Sequence, residues 1–222
     1  MFSDLLYQLA DYVPYSADIW RSLIETINLD HWPESLVLLP ILALLITADR
    51  MSSRFVDAFS FILLALCWAF SAWVFLAQHY APLYWVAEKI IPFFLIQAFL
   101  LLSFGARCLK PDTELVERDG HPGGILLLVV LLALPALQFV FGNSSAQLSW
   151  LALSPDATAI ITLAWLITTG QIRSMLILIP LAWLGLASLN GLALGLWAEA
   201  LLLPAALVMI NLYWRPKPVT NP

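Results

Sequence analysis

The chain has 222 residues, 62% of them hydrophobic and 11% charged, with a formal net charge of −5. Soluble domains carry roughly 45–50% apolar and about 25% charged residues, so a soluble globule, which could not hide this much apolar surface, is excluded. No basic stripe is present to neutralise phosphates, which excludes nucleic acid as a partner.

The opening stretch, Phe2 to Leu29, is amphipathic rather than spanning. Ser16 reads as an N-cap, Asp18 falls in the first turn, and Ile19, Trp20, Leu23, Ile24 and Ile27 recur at helical spacing. Arg21, Glu25 and Asp30 interrupt the stripe too often for a buried span, so residues 1–31 are expected to form an outer-face segment whose helix lies along the membrane surface. A helix packed as a cap on the bundle is the other reading of the same pattern. No basic residue precedes Arg21, so the positive start of a cleavable signal peptide is missing and the first true span is expected to serve as its own insertion signal.

Apolar segments follow at Trp32–Ala48, Val56–Leu76, Leu83–Ser103, Gly124–Phe141, Ala157–Gln171, Ser174–Leu189 and Leu192–Leu212. A hydrocarbon core of ~30 Å needs about 20 helical residues, so the first, fifth and sixth are short, and the fifth and sixth also suit a re-entrant hairpin. Arg50 and Arg54 follow the first segment, Arg107, Lys110 and Arg118 the third, Arg173 the fifth, and Arg215 with Lys217 the seventh; the opposite side has only Arg21 and Lys89. Basic clusters mark the cytoplasmic side. The expected fold is therefore an all-α polytopic integral membrane bundle of about seven transmembrane helices, residues 32–212, with the N-terminus outside and a cytoplasmic tail at 213–222. Trp32, Trp85 and Trp150 fall near the outer ends and Trp214 near the inner end, where aromatic anchors belong. Cys67, inside an apolar run, and Cys108, in a cytoplasmic loop, suit no structural disulfide.

The stretch Tyr15-Ser16 through Trp20, Leu23, Glu25, Asn28, Trp32 and Pro33 resembles an uncharacterised family of bacterial multi-span membrane proteins, domain of unknown function family 6064. Tyr80-Ala81-Pro82 with Trp85, Phe94 to Leu102 around Gln97-Ala98, Pro155 to Leu166 with Thr158, Thr162 and Leu163, and Ile179-Pro180-Leu181 with Trp183 extend the likeness over nearly the whole chain. The resemblance implies a helical fold in the bacterial inner membrane and transfers no activity. Asp156-Ala157 departs from the more Pro/Thr-rich pattern expected at that turn, so no role is carried over to it.

Chemistry-bearing residues are few. Glu199 lies inside the last apolar segment, in LWAEALLLP, where an ionisable group costs at least a few kcal/mol unless it is paired, protonated or hydrated. It reads either as a proton or cation site or as a hydrogen-bonded lock between helices. Gln97 and Glu88 join it as candidates for a transport path, Glu88 with Lys89 beside it at the outer interface. Asp57 reads as an exposed carboxylate in the first turn of the second segment, where the helix dipole favours it. His31, Glu34, His79 and Asp156 fall near the same membrane face and form a weak metal-ligand set, since they come from separate segments without a ligand-spacing motif. Thr158, Thr162, Thr168, Thr169 and Asn190 are expected to bond across helices or to helix carbonyls. No HExxH or GxSxG site is present and the last span has no lysine for a Schiff base, so an enzyme is not expected, nor a cofactor. Two functions fit: passage of a small solute or ion along a polar path near Glu199, or a non-catalytic accessory subunit of a larger membrane complex, with lipid, another membrane protein or a second copy as the partner.

Overall fold

The computed structural model describes residues 13–32, 40, 54–110, 123–171 and 175–213, and no strand occurs among them. Apart from Trp32 and Pro40, the first expected span lies outside the described residues. So do Glu34, the 213–222 tail beyond Tyr213, and Arg50, Arg118, Arg173, Arg215 and Lys217 of the basic clusters.

Helix α1 (Ala17–Asp30) starts where its sequence signals a start: the Ser16 hydroxyl accepts the Ile19 N–H, and Asp18 stands in the first turn. Its stripe of Trp20, Leu23, Ile24 and Ile27 is buried. The helix is pinned to the 143–148 loop by three of its polar residues. Arg21 Nε donates to Asn143 Oδ1 at 3.2 Å, Asn28 Nδ2 donates to the carbonyls of Ala146 and Leu148 at 2.7 and 2.8 Å, and Gln147 Nε2 donates to Glu25 Oε2 at 2.9 Å. The apolar stripe is thus covered by the protein itself, the loop supplies partners for the polar residues flanking it, and α1 packs as a cap on the bundle.

Helix α2 (Arg54–Phe70) continues without interruption as a π-helix, Ser71–Tyr80, and α3 (Val86–Cys108) returns beside it. They approach closely where Gly105 faces α2; a Cβ there would lie 3.0 Å from the Ala58 carbonyl oxygen. Asp57 stands in the first turn of α2 as expected but is buried, because α3 covers that end of the helix. α3 starts and ends later than the expected Leu83–Ser103, since the turn around Pro82 delays it and no proline follows Ser103 until Pro111.

Helix α4 (Gly123–Val140) leads into an irregular stretch with one 3₁₀ turn, Ser145–Gln147, before α5 (Pro155–Thr168). Every residue from Pro155 to Leu166 is buried, so α5 is the central helix, apolar on all sides because it has neighbours on all sides. Thr158 and Thr162 return their hydroxyls to the carbonyls four residues back, as expected, and also reach α2: Trp68 Nε1 donates to Thr162 Oγ1 at 2.9 Å.

A 3₁₀ turn, Met175–Ile177, opens α6 (Leu178–Leu194). Gln97, at the midpoint of α3, donates to the Leu176 carbonyl at 3.0 Å. Beyond the Trp68–Thr162 bond α2 runs on about 20 Å while α5 runs on only about 9 Å, at 1.5 Å per residue. Helix α5 thus ends well short of the Arg54 end of α2.

The single span expected over Leu192–Leu212 is broken twice. Gly195, at φ +71°, ends α6 in the left-handed conformation that glycine tolerates. Then α7 (Trp197–Ala200) and α8 (Leu202–Tyr213) are separated at Leu201, with Pro204 in the first turn of α8, where its missing N–H costs nothing. Among the described residues, Arg54–Tyr80, Val86–Cys108 and Met175–Leu194 are long and apolar enough to cross a membrane; Leu126–Val140, Pro155–Thr168 and Trp197–Leu212 are apolar but shorter.

Candidate functional site

The break between α6 and α8 brings the short α7, interrupted at both ends, against the rest of the bundle, and polar side chains collect around it. Gly191 allows the approach: a Cβ there would sit 2.5 Å from the Ala200 nitrogen and 2.9 Å from Glu199 Cβ. Ser188 takes over the helix-terminal bonding that the break removes. Its hydroxyl accepts the Leu203 N–H at 2.8 Å and donates to the Glu199 carbonyl at 3.3 Å.

Glu199 is buried and held from α4. Gln138 Nε2 donates to Glu199 Oε1 at 2.8 Å and to Ser149 Oγ at 2.8 Å, while Gln138 Oε1 accepts the Ser149 N–H at 2.7 Å. One amide therefore ties the carboxylate to the buried 148–154 loop. That loop turns through Ala152 at φ +66°, and its backbone is satisfied by side chains: Thr158 Oγ1 accepts the Ala152 N–H, and Ser71 Oγ donates to the Ala152 carbonyl.

At the start of α5, Asp156 is 2% exposed and accepts a hydrogen bond from Trp183 Nε1 at 2.8 Å. Asp156 and Glu199 both line a cavity of about 310 Å³ under α1. Tyr80, Tyr84 and Asn190 add polar atoms to its wall; Val13, Trp20, Val86, Ile90, Trp183 and Leu186 supply apolar surface. Over this cavity Asn190 Nδ2 donates to the Tyr15 hydroxyl at 2.7 Å, and the Tyr15 and Tyr80 hydroxyls share a bond of 2.6 Å. Burial pushes the Tyr15 hydroxyl above the usual tyrosine range, so it stays neutral and bridges α6 to the π-helix. Tyr15 stacks on Trp20, ring centroids 5.9 Å apart, closing the roof with aromatic surface.

The sequence-derived candidates separate. Glu199 lines the cavity; Gln97 is fully buried elsewhere, holding Leu176; and Glu88 is exposed on α3. Of the weak metal set Glu34 lies outside the described residues, and among those described no three His, Cys, Asp or Glu residues gather to hold a metal. His79 Nδ1 instead contacts the Val74 carbonyl, Nε2 lies 3.8 Å from Asp30, and the ring sits 6.1 Å from that of His31, while Asp156 belongs to the cavity. Gln138 escaped the sequence reading, although an amide in LPALQFVFG is the same kind of outlier as Glu199. Asp156, read there as a metal candidate, is the second buried carboxylate of the site.

The model of a family of unknown function (DUF6064) matches residues 17–220, so the chain belongs to that family. No curated protein and no solved structure matches it.

Proposed function

We propose that this member of the family is an integral inner-membrane protein, crossing the bilayer about seven times with its C-terminus in the cytoplasm, and that it passes a small solute or ion by way of the cavity under α1. The observation that carries the reading is the meeting of two buried carboxylates, Asp156 and Glu199, on one cavity at a broken helix. Discontinuous helices whose freed backbone and polar side chains face a cavity are the arrangement by which membrane proteins hold solutes away from lipid. Inert bundles have no need of it, and an unneutralised carboxylate in apolar surroundings costs several kcal/mol. Exposed Phe93, Leu95, Ile96 and Phe99 on α3, and Leu128, Val129 and Leu132 on α4, supply the outward apolar surface that a bilayer requires.

The test is flux across proteoliposomes carrying an imposed pH gradient. Glu199→Gln, which keeps the shape and the Gln138 contact region, is expected to abolish pH-dependent passage while leaving membrane insertion and the melting temperature near those of the parent chain. Unchanged flux in that variant would remove Glu199 from the path. Stable co-purification with a second membrane protein, together with no flux by the parent chain, would turn the assignment to an accessory subunit.

A further inference from the structure

The cavity also constrains what enters it. Each carboxylate receives one side-chain hydrogen bond: Trp183 serves Asp156 Oδ1 and Gln138 serves Glu199 Oε1, and the Glu199 carboxylate also meets its own backbone N–H. Among the described residues no other side chain donates to either group, although they are only 2% and 4% exposed. Among the described residues no lysine, arginine or histidine lines the cavity. Arg21 on α1 is the cation whose charge reaches Glu199, and its guanidinium is engaged by Asn143 and Asp18 instead. Both carboxylates therefore face the cavity with acceptor capacity that no other described side chain fills. The wall also carries the aromatic side chains Trp20, Tyr80, Tyr84 and Trp183, a composition that suits a cation.

The mouth of the cavity differs from its floor. Leu186 and Leu189 on α6 both line the cavity and are 52% and 51% exposed, and Val86 and Ile90 on α3 are half-buried opposite them. Apolar side chains of α3 and α6 thus flank the accessible side of the cavity, beside the part-exposed Tyr84 and Asn190. A volume of about 310 Å³ is at the small end of ligand sites, enough for a compact head group with its tail left in the mouth.

We infer that the ligand is an amphiphilic organic cation, an ammonium head group with hydrogen-bond donors on an alkyl tail, which enters sideways from the bilayer between α3 and α6 and seats its head between Asp156 and Glu199. This rests on the proposed role of the cavity and adds the substrate class to it. The same chemistry is offered by a free alkylamine and by the ammonium of an aminolipid.

The experiment uses the full chain in phosphatidylcholine nanodiscs, read by tryptophan fluorescence, since Trp20 and Trp183 stand in the cavity wall. Decylamine, decanol, decanoate and ethylamine are titrated into the parent chain and into Asp156→Asn/Glu199→Gln, so that simple partitioning into the disc cancels. Decylamine is expected to act at a concentration at least tenfold below decanol and ethylamine, decanoate to have no saturable effect, and the preference to vanish in the double variant. A second set of discs containing phosphatidylethanolamine separates the sources: a decylamine midpoint moved upward by the lipid identifies the aminolipid as a competitor, and an unmoved midpoint assigns the site to the free amine. Equal action of decanol, or of ethylamine, overturns the inference, as does a preference that survives in the double variant. Leu186→Trp, which narrows the mouth without touching either carboxylate, is expected to slow decylamine entry severalfold; an unchanged entry rate overturns the sideways route. Binding without flux in proteoliposomes would sink the transport reading and leave this one standing, whereas flux of an inorganic ion without amine binding would do the reverse.

Discussion

The α2–α3 pair and the α6–α8 segment are built from nearly the same apolar alphabet, yet they handle their backbone in opposite ways. Along α2 and α3 the backbone polar groups close within long helices, apart from the bond that Pro92 removes, and contact between the two is apolar, through Phe61 and Phe104 and the glycine at 105. From Gly195 to Leu203 the helix is broken, Ser188 occupies the Leu203 N–H and the Glu199 carbonyl that a regular helix would have satisfied itself, and Gln138 holds the Glu199 carboxylate. The first arrangement needs only hydrophobicity and close packing. The second needs particular polar side chains at particular places, which is the difference between a scaffold and a site.

That contrast predicts an order of sensitivities. Gly191→Ala should be the most damaging, because its Cβ would meet backbone at 2.5 Å; a loss of about 3 kcal/mol is expected, against roughly 1 kcal/mol for Gly105→Ala, where the closest approach is 3.0 Å and alanine's better helix propensity offsets part of the strain. Melting curves of the two variants in nanodiscs decide it, and the reverse order would break the comparison. Gln138→Leu should follow, at about 2–3 kcal/mol, since it strands the Ser149 N–H and Glu199 Oε1 together; Thr162→Val, which removes one indole bond from the α2–α5 contact, should cost nearer 1 kcal/mol. Near-equal costs would mean that the amide is no more than one bond among many. The smallest effect is a gain. Ala152→Gly relieves a left-handed alanine while loosening the unfolded chain, for a net stabilisation of about 0.5 kcal/mol, and a loss on thermal melting would show that the turn depends on the alanine methyl.

The same contrast explains what the sequence could disclose. Helices long enough to be read from apolar runs appear close to where those runs lie, and α1 begins at the serine whose side chain announces it. Glu199 stands out because one carboxylate among leucines and alanines is legible without any neighbour. The cavity was not legible, since it depends on Asp156, Tyr80, Asn190 and Glu199 converging from four separate stretches, and periodicity within one stretch carries nothing about the others. The break after α6 hid for a different reason: hydropathy is the same on both sides of Gly195 and Leu201, and only the glycines at 191 and 195 and the proline at 204 mark it. Gln97 drew attention as a polar residue in a span, but its amide serves a turn of its own neighbour, a role identical in sequence to one at a site.

The irregular stretch between α4 and α5 has an implication for biosynthesis. Every side chain that satisfies its backbone comes from an earlier part of the chain, Asn28, Ser71 and Gln138, from the stretch itself, as Gln147 does for Ser144, or from Thr158 just after it. As the ribosome delivers that stretch, all its partners but the last have already emerged, and Thr158 follows within a turn of helix. Non-helical peptide groups are thus never left waiting in an apolar surrounding for the final third of the protein to be translated. Glu199 arrives last, onto a Gln138 amide already in position to receive it.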